Sequence, residues 1–254
     1  MKYEGHIKIY SGMVIAASKK VVLPRANDKN DEFGKSLKNI VLGVEDKSKE
    51  EKKFSPYEHF ISNKLFRPFN EISCSVESIE NISIYVKTFP YSRYGVSKVS
   101  HLKYHVENYL NELYIFKNRL ISYLKAIDRS YSKSSIAKHV TETIFPLYSF
   151  VSKSMKNYVV VRGNHVHQNR YSDSEITRLS LLELLSLEQN EPDKIIMRIY
   201  SDTYKETRKK WTERISNAIE KIHTILDIYF KILIKAISKN GVILIPDNFE
   251  TPQS

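Results

Sequence analysis

The residues from Val159 to Tyr171, VVVRGNHVHQNRY, hold the densest polar cluster in the chain. Arg162, Asn164, His165, His167, Gln168, Asn169, Arg170 and Tyr171 follow one another closely, with two Arg and two His within nine residues. A helix end that needed only solubility would ordinarily carry Lys and Glu. An Arg is permanently charged and grips a phosphate through two parallel N–H bonds. A His gives or takes a proton near neutral pH. Together they suit attack of an RNA 2′-hydroxyl on the adjoining phosphate. The His moves the proton, the Arg neutralises the charge growing on the phosphorane, and no metal is required. Tyr171 adds a ring that can stack on a base.

The spacing admits two geometries. On a continuous helix, Arg162 and His167 stand about 140° apart and flank a cleft, while His165 lies only about 60° from Arg162. In an extended segment His165 and His167 share one face instead. Gly163 and the β-branched run Val159-Val160-Val161 both weaken a helix here. A His165/His167 metal site would need further ligands, and no Cys or nearby acidic pair lies upstream to supply them.

Arg162-Gly163-Asn164-His165-Val166-His167 resembles the Arg-x4-His motif of the HEPN superfamily. Its place, late in one helix and before another, fits that family. The upstream stretch His105-Val106-Glu107-Asn108-Tyr109-Leu110-Asn111-Glu112-Leu113-Tyr114 looks like the companion helix of some prokaryotic members. The resemblance covers about residues 98–240 and does not extend to residues 1–90. Many members carry a polar residue directly after the Arg; here Gly163 stands there and Asn164 follows. The resemblance implies a metal-independent endoribonuclease, often a toxin or antiviral defence effector, acting as a homodimer that brings two Arg/His sets to one cleft. On that basis Arg162 stabilises the scissile phosphate, His167 is the acid/base and Asn164 orients the His or the phosphate. His165 and Arg170, with Tyr171, are then RNA contacts. A toxin-like member implies an antitoxin or regulatory partner. Other members are non-catalytic binding or dimerisation modules, so that reading stays open. It would use the Leu181-Leu182-Glu183-Leu184-Leu185 surface to dimerise and a basic face to bind nucleic acid, a nucleotide or a partner protein.

Long helices must position such a segment. Val106, Tyr109, Leu113, Phe116, Leu120, Leu124 and Ile127 recur every three or four residues, predicting a helix over about Lys98 to Ile127. Ile136, Val140, Ile144, Leu147, Val151, Met155 and Tyr158 form a second stripe, which Pro146 should kink or break. Ser172 and Glu175 have capping-box spacing before a leucine-rich helix, Ile176 to Leu187, whose wide apolar surface predicts deep burial or a subunit interface. Trp211, Ile215, Ala218, Ile222, Leu226, Tyr229, Leu233 and Ile237 predict a long helix stopped near Asn240-Gly241. Val242 to Pro246 reads as a short strand, placed against the N-terminal region. Earlier, Ser55-Pro56 opens a helix that Pro68 should end, and a second runs from about Val76 to Lys87. Residues 1–54 read as a mixed region: strands or irregular segments around Ile7, Ile9, Met13 to Ile15 and Val21 to Leu23, then a charged linker from Glu45 to Lys53. The expected fold is mainly α: an antiparallel bundle of four or more long helices over residues 55–254, with a small mixed α/β N-terminal region.

Composition narrows the field. The chain has 254 residues, with 41% hydrophobic and 27% charged, which is ordinary globular usage. Forty Lys and Arg against 29 Asp and Glu leave a net charge of +11, which favours polyanionic partners or an anionic membrane surface. The single Cys74 excludes an internal disulfide and a Cys-based zinc site, and it fits a reducing cytoplasm. No signal peptide or membrane span is expected. No phosphate-cradling Gly-rich loop and no Gly-x-Ser-x-Gly elbow is present, which removes ATPase, dehydrogenase and serine-hydrolase readings. No cofactor is expected. His105, His139 and His223 lie on or beside helical stripes and read as packing residues. Trp211 reads as core, and Arg208-Lys209-Lys210 as a solvated basic face.

Overall fold

The computed structural model describes residues 4–27, 55–88, 95–156, 158, 173–187 and 193–249. The fold is mainly α. Its helices are α1 (Gly5–Asn27), α2 (residues 56–87), α3 (Lys98–Tyr131), α4 (Ala137–Ser154), α5 (Ser174–Leu187) and α6 (Lys194–Ile237). A two-stranded hairpin follows, β1 (Ser238–Lys239) and β2 (Val242–Ile243), then a 3-10 turn, Asp247–Phe249. No helix among the described residues is long and apolar enough to cross a membrane.

The predicted stripes of α3 and α6 are buried throughout, as are Val140, Ile144, Leu147 and Val151 of α4 and Met155 just beyond it. Burial of such stripes is what holds long helices together. Pro146 lies inside α4 without ending it. Pro146 and Glu142, the residue whose carbonyl loses its helical partner, are both exposed, where water can replace the missing N–H.

Three local expectations are corrected. First, residues 5–27 are helix, not strand or irregular segment. Ile7, Tyr10, Met13, Val14 and Val21 are buried, whereas Ile9 is exposed. The inward partner of Ile7 is therefore Tyr10, which restores the three-to-four period that the Ile7/Ile9 alternation hides. Second, α2 does not stop at Pro68. Pro56–His59 leads into a π stretch, Phe60–Phe66, and then Arg67–Lys87. The Arg67 N–H bonds to the Ser62 carbonyl, five residues back, so the ladder is already widened where Pro68 brings no N–H. The start of α2 is as expected: Ser55 and Glu58 form a reciprocal capping box with Pro56 in the first turn. Third, the cap of α5 is Asp173, whose Oδ1 accepts the backbone N–H groups of Glu175 at 2.8 Å and Ile176 at 3.2 Å. The expected charged linker, Glu45 to Lys53, lies outside the described residues.

The chain divides into two compact units. Unit 1 takes Met1–Glu71, Ile121–Ser149 and Leu226–Ser254. Tyr10 lies at its centre, with the rings of Phe230, Phe69 and Tyr123 at 4.8, 5.6 and 6.4 Å. The Tyr10 and Tyr123 hydroxyls share a buried hydrogen bond. Asn240 and Gly241, with φ of 51° and 76°, turn the hairpin. Left-handed φ at both turn positions is what a tight two-residue hairpin requires. β2 then lies against α1, as the sequence predicts for the strand after Asn240-Gly241. The tail is fixed further on. The Tyr131 hydroxyl donates to the Leu244 carbonyl, and Asp247 accepts the Ser135 N–H at 2.9 Å.

Unit 2 takes Ile72–Leu120 and Phe150–Ile225. Its core includes Ile79 and Val86 of α2, Leu113 and Phe116 of α3, Met155, Ile176 and Leu179, and Trp211 and Ile215 of α6. Arg119 donates to Ser75 Oγ at 2.5 Å, and His223 Nε2 lies 3.1 Å from Glu80 Oε1.

Candidate functional site

Arg162, Asn164, His165, His167, Arg170 and Tyr171 all lie outside the described residues. The described residues on either side of them belong to unit 2 and form two anchors.

The upstream anchor is the end of α4. Val151 and Met155 are fully buried, and Tyr158 is half-buried. The Tyr109 phenol of α3 is pushed well up, first by burial and then by the neighbouring Tyr158. Both rings therefore stay neutral across the working range.

The downstream anchor is electrostatic. Besides capping α5, Asp173 places its Oδ2 3.6 Å from Arg214 Nη1. The same Arg214 nitrogen lies 3.6 Å from Glu175 Oε2. Lys210 Nζ lies 3.0 Å from Glu175 Oε1 and 3.0 Å from Glu206 Oε1. These two carboxylates hold the Lys210 ammonium above its ordinary range, and Lys210 in turn holds the Glu206 carboxyl below its own. The Arg214 guanidinium sits 5.0 Å from the Trp211 ring centroid. Trp211 is buried, so it is a core residue carrying a cation on its face. Of the basic triplet, Lys210 is committed to this ion-pair cluster and Arg208 lies over the Tyr204 ring at 5.5 Å.

The helical histidines separate into two kinds. His139 Nε2 meets the Lys235 carbonyl at 3.2 Å, and His223 pairs with Glu80; both are hydrogen-bonded, as expected, but exposed rather than packed in the core. His105 differs. It sits among the rings of Tyr85, His101 and Tyr104, and its Nδ1 is buried without a hydrogen-bond partner among the described residues. Reading His105 as a hydrogen-bonded packing residue overlooked this cluster. The i, i+4 spacing of His101 and His105, with Tyr104 beside them, is the signal in the sequence. Among the described residues, no three His, Cys, Asp or Glu side chains gather where they could hold a metal ion.

The leucine-rich α5 is not deeply buried. Ile176 and Leu179 face the core, but Leu181, Leu184 and Leu185 are 57, 53 and 48% exposed. Unit 1 holds a small apolar cavity of about 150 Å³ between α1, Tyr57 and the hairpin, lined by Met13, Ala16, Val242 and Ile243. That is well below the roughly 300 Å³ at which small-molecule sites begin, so it does not fit a nucleotide.

Set against known proteins, the chain matches no family model, no curated protein and no solved structure.

Proposed function

We propose that the chain is a metal-independent endoribonuclease of HEPN type, working as a cytoplasmic homodimer in a toxin or antiviral defence setting, with an antitoxin or regulatory protein as its further partner. The observation that carries this reading is the Arg162-x4-His167 spacing in a segment whose flanks are tied down by Tyr158 on one side and Asp173 on the other. The net charge of +11 supports a polyanionic substrate. In the proposed step, neutral His167 takes the proton of the 2′-hydroxyl. The 2′-oxygen forms a bond to phosphorus as the bond to the 5′-oxygen breaks. A protonated His167 from a second copy gives its proton to the departing 5′-oxygen. The products are a 2′,3′-cyclic phosphate and a 5′-hydroxyl. Arg162 neutralises the charge that builds on the phosphorane oxygens, and Asn164 orients the His or the phosphate. His165, Arg170 and Tyr171 contact the RNA beside the cut.

The test is cleavage of mixed tRNA and mRNA in EDTA. Wild type is expected to cut. Arg162→Ala and His167→Ala are each expected to lose about 10²-fold or more in rate while keeping the wild-type circular dichroism. Cutting that survives both substitutions would place the chemistry elsewhere.

A second reading is favoured by the exposed Leu181, Leu184 and Leu185. A solvent-facing leucine stripe suits a non-catalytic module that dimerises through α5. No cutting by a folded dimeric wild type would favour it.

A further inference from the structure

On unit 2, one side chain of α2 and three of α3 form an array of rings. His105 lies at its centre, with centroids 5.2 Å from Tyr85, 4.5 Å from His101 and 5.2 Å from Tyr104. Tyr104 is 60% exposed and Tyr85 48%. Elsewhere large tyrosines such as Tyr10, Tyr123, Tyr131 and Tyr229 are wholly buried. Burial lowers the pKa of both His101 and His105, and for His105 the neighbouring His101 adds to it. The two imidazoles are therefore neutral near pH 7, and their faces behave as aromatic surface.

Cations border the rings. Lys98 stands three residues before His101 and seven before His105, so the three share one face of α3. The Lys98 ammonium lies 5.8 Å from the Tyr204 ring centroid, and Arg208 approaches the same ring. Tyr204 is itself buried and acts as a plate that fixes both cations. From Lys98 to His105 is about 10 Å along the helix axis, roughly three stacked-base steps of about 3.4 Å. Of the acids on the adjoining stretch of α6, Asp202 pairs with Lys205 at 3.7 Å and Glu206 with Lys210; Glu107, one turn beyond Tyr104, is the acid of α3 on this side.

Exposed ring faces beside fixed cations are the two components of a single-strand nucleic-acid site. Every base has a face to stack, and every nucleotide brings a phosphate. A duplex hides its base faces and would use only the cations. We propose that this array is a stacking platform for single-stranded RNA, with bases on Tyr104 and Tyr85 and phosphates on Lys98 and Arg208. It rests on the reading of RNA as substrate, and it assigns the holding of the strand to residues outside the Arg162–His167 segment.

The test is fluorescence anisotropy of the full chain with a short, labelled 2′-O-methyl oligoadenylate, which cannot be cut through its 2′-oxygens, against a blunt duplex of equal length. The single strand is expected to bind more tightly. Tyr104→Ala is expected to weaken it about tenfold, and Tyr104→Phe to bind like wild type. Lys98→Gln and Arg208→Gln should each flatten the salt dependence by about one released counterion. Duplex binding as tight as single strand, or a folded Tyr104→Ala that binds like wild type, would overturn the platform. Cleavage in EDTA is measured on the same preparations. A wild type that cuts RNA, with Tyr104→Ala binding unchanged, overturns the platform and leaves the nuclease reading intact. Ring-dependent binding by a wild type that does not cut supports the platform and removes the nuclease.

Discussion

Asp227 of α6 caps α1: its Oδ1 accepts the His6 backbone N–H at 2.7 Å and lies 2.9 Å from His6 Nδ1. The preceding Gly5 has φ of +63°, and a Cβ there would stand 2.2 Å from the same carboxylate oxygen. A cap that most helices draw from their own sequence is here supplied by another helix, and Gly5 keeps the approach open.

Asp227→Ala should therefore destabilise the chain by about 1 kcal/mol at pH 7, the usual worth of an N-cap. The His6 backbone N–H, and then its ring, hold the Asp227 carboxyl below its ordinary range. A depressed carboxyl contributes stability in full above its unfolded value, about 3.9, and loses it as pH falls through the lower folded value. Urea denaturation of wild type and variant should show the gap between them narrowing steadily below about pH 4. A gap that does not change with pH would show that the carboxylate's charge is not what matters.

The buried Tyr10–Tyr123 hydroxyl pair predicts a non-additive cycle. Tyr10→Phe or Tyr123→Phe alone takes from the other hydroxyl its partner in this pair, at a cost of about 1–3 kcal/mol. Removing both deletes donor and acceptor together. The double variant is expected to be more stable than the sum of the single losses implies. Additive losses in chemical denaturation would mean that each hydroxyl finds another partner.

Arg214 links Asp173 and Glu175 at the downstream anchor. Its pairs are partly exposed, so Arg214→Ala should cost less than about 1 kcal/mol of stability. If the chain cuts RNA as proposed, its effect on cleavage is expected to be larger, because Asp173 adjoins the Arg162–Tyr171 segment. The expected pattern is a several-fold fall in kcat with little change in KM, partly restored by Arg214→Lys. A rate that falls only with the unfolded fraction would reduce Arg214 to a structural residue.

Leu181 and Leu184 lie one turn apart on the exposed face of α5. Leu181→Glu with Leu184→Glu should leave helicity intact, because neither side chain is in the core. If α5 closes the homodimer, light scattering after size exclusion will show a dimeric wild type and a monomeric double variant. A double variant that stays dimeric places the interface elsewhere.

The sequence makes α3, α4 and α6 legible because their apolar stripes are long and unambiguous. It does not show α1, because Tyr10 counts as polar in a two-residue alternation although its ring fills the centre of unit 1. It shows a stop at Pro68 because an α-helical ladder cannot take a mid-helix proline, whereas a π stretch can receive one. Ser172 and Asp173 are both good caps, and only the backbone geometry selects Asp173. For the candidate site, the residue types of Arg162 and His167 state a chemistry, but spacing alone leaves helical and extended arrangements equally open. The ring array around His105 involves Tyr85, which is far away in the sequence, and no local pattern connects them.

The pairing of His6 with Asp227 spans 221 residues, and Tyr10 reaches Phe230 over a similar separation. During synthesis on the ribosome, α1 therefore emerges long before the helix that caps and covers it. Phe69 and Tyr123 can reach Tyr10 earlier, but the side of α1 that meets Phe230, and the cap from Asp227, must wait until the C-terminal part of α6 has left the exit tunnel. Unit 2, built from residues 72–120 and 150–225, has all its parts earlier. Stalled translation before Asp227 would thus yield a chain that holds every segment of unit 2 but lacks the last segment of unit 1.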